Sequence, residues 1–458
     1  MLGARSVAVA RARPPYTPRP MNPGPKPARS PLLFIFLTVF IDLLGFGIVI
    51  PLLPIYSKYF GASELELGLL FSCFSGMQFL FAPLWGRISD RIGRRPVLIG
   101  GLVGTAVAYF LFARANSMAM LYAARLLAGF FGANISSAQA YIADVTTEKD
   151  RAKGMGLIGA AFGLGFTFGP LLGGLLTRHA AGSTALPAMP GYLAAALSLA
   201  AALFGFLKLP EPARHAAAAS RSFGLEQLRD AFTNGRIGIL MLLNFMNLFA
   251  FSCFEAMFTR FGLARFPAKF GLDRPIEKAS LDQVLDAAPY AGSYLFAIGI
   301  ISAVIQGGLI RRLVPKFGET KLVIAGPLIL GVALATIGFA GGMLSWPFVI
   351  VGCLVMPLGF GLTNPSVTGL ISRASPKDKQ GAYLGMSQSA ASLARVVGPP
   401  VAGIFFAMGP SRPFFASAGV LAVAGAIATA YRRRYGRTFV EGAEASKTAG
   451  AEAVANIE

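Results

Sequence analysis

Residues 163–174 read GLGFTFGPLLGG, five glycines and a proline in twelve residues of an apolar run. In water an interior Gly costs a helix ~1 kcal/mol and Pro ~3, which argues for a loop. Yet Thr167 is the only polar side chain there, and a solvated loop needs more. The composition resolves the conflict. Of 458 residues 55% are hydrophobic and 14% charged, against roughly 25% charged in an ordinary globular chain. Mean hydropathy is +0.62. The solvent of such a chain is a bilayer, where neighbouring helices can satisfy the backbone that Gly and Pro disturb. Gly165, Gly169 and Gly173 stand at i, i+4 and i+8, so they form one smooth face that lets another helix backbone approach closely. Pro170 lacks a backbone donor and invites a kink.

A span of ~20 apolar residues crosses the ~30 Å hydrocarbon core. The sequence offers twelve such runs, roughly 32–56, 66–84, 96–113, 118–140, 154–176, 191–207, 237–261, 289–309, 322–341, 347–371, 382–408 and 413–431. An all-α membrane protein of two six-helix bundles is therefore expected. Residues 1–31 read as a disordered basic tail, 32–207 as the first bundle, 208–236 as a central loop, 237–431 as the second bundle and 432–458 as a C-terminal tail. The apolar run after Pro31 is of spanning length and lacks a small-residue cleavage site, so a cleaved signal is not expected; Met21 offers a second start. The connection 262–288 is long and mixed in charge, and reads as a solvated cap or short surface helix.

Residues 154–174 align without a gap on 383–403 at an offset of 229: Gly156 on Gly385, Gly169 and Pro170 on Gly398 and Pro399, Gly174 on Gly403. Parallel repeats of six spans place a binding site at the midplane between two bundles that rock.

The net charge of +20 does not point to nucleic acid. Arg87, Arg91, Arg94 and Arg95, then Arg311 and Arg312, then Arg432, Arg433 and Arg434 all fall on alternate connections, hence on one side. That is the positive-inside pattern, with both termini cytoplasmic and the cations facing anionic headgroups. Cys73, Cys253 and Cys353 lie within spans and read as small packing residues. His179 and His215 stand too far apart for a metal site, and no cofactor motif or hydrolytic constellation is present. The reading is not enzymatic.

Asp42, Arg125, Glu255 and Arg395 stand inside spans. An unpaired charge at that depth costs at least ~2.5 kcal/mol, so each is expected to face a partner or a watery cavity. Counted along their helices at 1.5 Å per residue, Asp42 and Arg125 reach similar depths. Burial disfavours the Asp42 charge and a nearby arginine favours it, so a substrate that parts the pair would tip the acid toward protonation. Glu255 is a candidate second proton or cation group, and Arg395 a candidate for attracting an anionic or polar group. Phe46, Met77, Gln78, Phe245, Met246, Asn247, Phe249, Asn364 and Gln388 are the candidate cavity lining. Few polar groups among many apolar ones suit an amphipathic organic molecule. In the turn after the second span Asp90 and Arg94 can pair with each other or with Asp144, giving a latch expected to hold the bundles together and to break when the inner side opens. The equivalent turn at 308–322 lacks an acid matching Asp90, so the latch is expected in the first half alone.

These residues carry a family resemblance. GLGFTFGPLLGG, with Gly165, Gly169, Pro170, Gly173 and Gly174, resembles the antiporter motif on the fifth helix of drug/proton antiporters of the major facilitator superfamily. GRISDRIGRRPVL at 86–98 resembles that superfamily's signature between helices two and three, through Gly86, Asp90, Arg91, Gly93, Arg94 and Arg95, with Ile88 where the pattern favours Leu. Arg125 and Gly129 match the fourth-helix arginine motif and Asp42 the first-helix acid. The resemblance covers roughly 30–435 and is similar to tetracycline and multidrug efflux transporters. It implies a monomer in a bacterial inner membrane that exports a small molecule against protons by alternating access. A symporter or uniporter importing a metabolite stays open, as does a non-transporting receptor or lipid-handling scaffold.

Overall fold

The computed structural model describes residues 29–146, 148–177, 186–212, 235–375 and 380–455. Most of the expected central loop, most of the N-terminal tail and both histidines lie outside them. Twelve helices among the described residues are long and apolar enough to cross a membrane. They are α1 (Pro31–Tyr59), α2 (Glu64–Ile92), α3 (Arg94–Ala113), α4 (Met118–Val145), α5 (Leu157–Leu176), α6 (Met189–Lys208), α7 (Gly235–Arg265), α8 (Gln283–Val304), α9 (Glu319–Met343), α10 (Trp346–Ala374), α11 (Tyr383–Met408) and α12 (Arg412–Tyr435). With an even number of crossings the chain enters and leaves on one face, here the terminal face; the other is the far face. The helix of α12 runs on to Ala455, where the sequence suggested a tail.

Local signals set the helix ends. Ser63 and Glu66 form a capping box at the start of α2, with the Ser63 amide donating to Glu66 at 2.7 Å. Gly93, at φ 112°, ends α2 and opens α3 in a conformation that a side chain resists. Within α2, α5, α9, α10 and α11 prolines are carried in the helix interior, as membrane helices tolerate.

The glycine face of α5 lies on α1. A methyl group at Gly165 would lie 2.8 Å from Leu43 Cβ, and one at Gly169 2.5 Å from Gly47 Cα; one at Gly173 would strike the Ile48 carbonyl. Gly174 faces away from that contact, against Ala288 of α8, where Gly292 in turn meets the Pro170 carbonyl. The repeat partner behaves alike: Gly398 of α11 packs on Ser252 and Phe249 of α7, while Pro399 meets Gly68 of α2. Each motif helix thus lies on the first helix of its own half and the second helix of the other, as a parallel repeat requires.

The apolar core is continuous across both halves at the far face, joining Leu52, Tyr56 and Phe71 to Phe254, Phe258 and Phe406. Toward the terminal face it divides into a first-half cluster around Val39, Tyr141 and Ile158 and a second-half cluster around Leu240, Val367 and Tyr431. Gly86, Gly159 and Gly308 there face open space. The halves meet at the far face and part at the terminal face. The connection 262–288 contains the expected short helix, Leu281–Asp286. Its charged side is solvated, with Asp273, Arg274, Glu277 and Lys278 exposed, while its apolar side packs, Phe270 and Ile276 being fully buried and Phe270 lying against Tyr294 and Trp346.

Candidate functional site

Asp42 projects from α1 toward a cavity of about 20 Å³ lined also by Phe46, Phe74, Gln78, Thr105 and Tyr109. That is room for roughly one water. The Asp42 Oδ1 and Thr105 Oγ1 atoms are buried without a hydrogen-bond partner, whereas Gln78 Nε2 donates to the Gly132 carbonyl at 3.1 Å. Arg125 is 2% exposed, and its guanidinium rests over two rings, 4.7 Å from the Phe74 centroid and 5.3 Å from that of Phe46. Its Nε and NH1 have no hydrogen-bond partner among the described residues. Among the described residues it makes no ion pair with Asp42, which corrects the expected pairing. Depth along a helix comes from counting residues; rotation about the axis comes from packing, and here it aims the arginine at aromatic faces. A desolvated guanidinium over a ring gains up to ~2 kcal/mol, which offsets part of its burial cost.

Glu255 is half-buried on α7 and lies within Coulombic reach of Arg395 on α11 and of Arg125 across the divide. These three form the charged centre between the halves. Phe46 lies tilted against Phe74 at 4.5 Å and edge-on to Phe166 at 5.4 Å, and half-exposed Met77 abuts Gly129 of α4. Phe245 and Phe249 stack at 6.1 Å. Asn364 is half-exposed and Gln388 exposed. Two expected lining residues are corrected. Met246 packs in the second-half core with Leu243 and Val367, and Asn247 is fully buried with both amide atoms unpartnered. Both face inward from α7, whose nearly uniform hydropathy hides which side is core.

At the terminal face Arg94 joins three helices. Its NH1 lies 2.5 Å from Asp90 and 2.7 Å from Ser89 Oγ, and its Nε donates to Asp144 at 3.0 Å. Glu211, after α6, accepts the Arg94 and Arg95 amides at 2.7 and 3.0 Å and so caps α3. Arg95 donates to the Phe206 carbonyl. Gly86 faces open space and Arg91 is exposed. These joins are made within the first half and stand intact while the halves are parted. The expectation of a latch across the bundles is therefore corrected: the cluster stiffens one bundle's rim. Glu211 carries no signal in the sequence, because LPEP at 209–212 opens the segment that reads as the central loop.

The second half has its own version, against expectation. Gly318, at φ 75°, opens α9 as Gly93 opens α3. The next residue, Glu319, pairs with Arg373 at the end of α10 at 3.4 Å. At the repeat offset of 229, Arg373 is the counterpart of Asp144. At the same offset Glu319 falls on Asp90, so the acid expected to be missing is present, and it pairs with a cation on the fourth helix of its half where the first half carries Asp144.

Two helical repeats around a midplane centre of aromatic and buried charged groups define a multi-pass membrane transporter. The chain belongs to the Major Facilitator Superfamily, whose family model matches residues 35–399 and 287–453. It is 31% identical over 429 residues to human Major facilitator superfamily domain-containing protein 10, covering 84% of this chain and 89% of that one. It is 29% identical over 369 residues to the class B tetracycline resistance protein of Escherichia coli, covering 80% and 86%. The crystal structure of the human organic anion transporter MFSD10 (TETRAN) superposes with TM-score 0.63 at 28% identity, covering 88% of this chain and all of that one.

Proposed function

We propose that the protein is a proton-coupled antiporter that exports small amphipathic organic compounds by alternating access, with Asp42 carrying the exchanged proton. The observation that carries this reading is the Asp42 carboxyl: among the described residues one oxygen is buried and unpartnered and no arginine pairs with it, and a cavity of water size adjoins it. A carboxyl so placed can take up and release a proton without breaking an ion pair. Arg125 acts beside it by holding Phe46 and Phe74 in place and by its field. The positive-inside distribution supports a cytoplasmic terminal face, with the parted halves then opening toward a cytoplasmic substrate. A bacterial inner membrane fits the efflux relatives, and a single chain contains the whole pathway. Two arginines against one glutamate at the charged centre favour substrates that carry an acidic group on an apolar body, in keeping with the organic anion transporter among the relatives.

The test is uphill uptake into inverted vesicles under an imposed proton gradient. Asn at position 42 keeps size and hydrogen bonding but cannot titrate, so Asp42→Asn is expected to bind substrate and lose concentrative uptake. Uptake like the parent's makes Asp42 structural and Glu255 the leading proton site.

A further inference from the structure

At the far face one ion pair crosses the divide. Arg260, on α7 of the second half, meets the first-turn carboxylate of α2 in a bidentate contact: Nε lies 2.8 and 3.1 Å from the two Glu64 oxygens and NH2 2.5 Å from one of them. The side chains are 7% and 17% exposed. The Glu64 carbonyl also lies against Gly403 of α11, so the contact sits where the halves are tightest. A second carboxylate waits nearby. Glu277, in the cap, stands 3.6 Å from Arg260 NH2, beyond hydrogen-bond length, and is 49% exposed. Arg260 NH1 is buried with no partner.

The two acids belong to different bodies. Glu64 moves with the first half. Glu277 moves with α7, because Ile276 beside it is fully buried and its amide donates to the Leu263 carbonyl at 3.3 Å. If the far face opens, Glu64 leaves Arg260 and Glu277 does not. A guanidinium stripped of its carboxylate while still partly buried is left with an uncompensated charge, which disfavours that state. Rotating toward Glu277 keeps it paired.

We propose that Arg260 is the far-face gate and that it exchanges carboxylates: Glu64 holds it when the far face is closed and Glu277 holds it when the far face is open. The cap at 262–288 is thus part of the gate. This rests only on the alternating-access part of the proposed function, and its test reads no proton coupling. Glu64 and Glu277 have opposite effects in this scheme. Glu64 favours the closed far face and Glu277 the open one.

The measurement is the distance between spin labels on Asn116→Cys and Met343→Cys, two exposed far-face positions on opposite halves, in purified full-length protein with Cys73, Cys253 and Cys353 replaced by Ala. Glu64→Gln is expected to raise the ratio of long to short distances roughly tenfold, and Glu64→Asp, which keeps the charge and shortens the reach, to raise it less. Adding Glu277→Gln to either variant is expected to bring the ratio back toward the parent's. A ratio unchanged in both Glu64 variants overturns the gate. A ratio raised further by Glu277→Gln overturns the exchange, because Glu277 would then be only another brace on the closed state. A transporter that fails proton-driven uptake but shows these opposed shifts leaves the gate standing and removes the antiport reading.

Discussion

The guanidinium of Arg125 lies 4.7 Å from the centre of the Phe74 ring, one helix away and deep in the first bundle. An aromatic face steadies this buried cation at close range, with the Glu255 carboxylate acting on it from across the divide. Phe74→Leu keeps the volume nearly apolar but removes the quadrupole, so it is expected to destabilise the protein by about 1 kcal/mol, read as a lowered melting temperature in detergent. Arg125→Lys, a point charge that cannot spread over two rings, is expected to lower transport about tenfold while the protein stays inserted. Parent-like stability for Phe74→Leu would place the arginine's support elsewhere.

The α5–α1 contact leaves no room at Gly169, where a methyl group would sit 2.5 Å from Gly47 Cα, whereas one at Gly163 meets nothing within 4 Å. Gly169→Leu is expected to insert and to lose exchange, Gly169→Ala to slow it, and Gly163→Ala to leave it unchanged. Transport assayed beside surface expression decides this; equal effects at 163 and 169 would refute the assigned face.

The Glu319–Arg373 pair of the second half can be tested directly. Arg373→Glu places two acids together at the α9–α10 rim and is expected to slow turnover. Adding Glu319→Arg restores opposite signs and is expected to recover most of it, with a coupling of up to about 1 kcal/mol for so exposed a pair. A double variant no better than the single one would mean that the pair is incidental.

At the first-half rim Glu211→Ala leaves two α3 amides uncapped and is expected to cost about 1 kcal/mol. Gly93→Ala is expected to cost more, since its Cβ would face both a positive φ of 112° and the Glu211 carboxylate at 2.8 Å. Asp90→Ala removes one of three Arg94 contacts and is expected to reduce turnover with substrate binding retained. Melting curves and ligand binding separate these effects, and loss of binding at Asp90 with intact folding would draw that residue into the substrate path.

The sequence by itself determined the solvent, the twelve spans, the division into repeats and the glycine face of α5. Each of these follows from composition or from spacing along one helix: apolar runs must match a bilayer's thickness, and residues four apart share a face. It also placed Asp90, Arg94 and Asp144 together, because short connections leave their helix ends little freedom. What only the tertiary structure decided is how each helix is turned about its axis and which half its partner belongs to. In α7 apolar residues cover every side, so no amphipathic stripe told Met246 and Asn247 from a cavity lining. Asp42 and Arg125 were placed at matching depths, yet packing turned one toward a small cavity and the other onto Phe46 and Phe74. Glu64 lies 196 residues from Arg260, and only the closing of the far face brings the two together. Separations along one helix are fixed by 1.5 Å per residue; those between helices are fixed by the sum of all packing contacts, which no local pattern encodes.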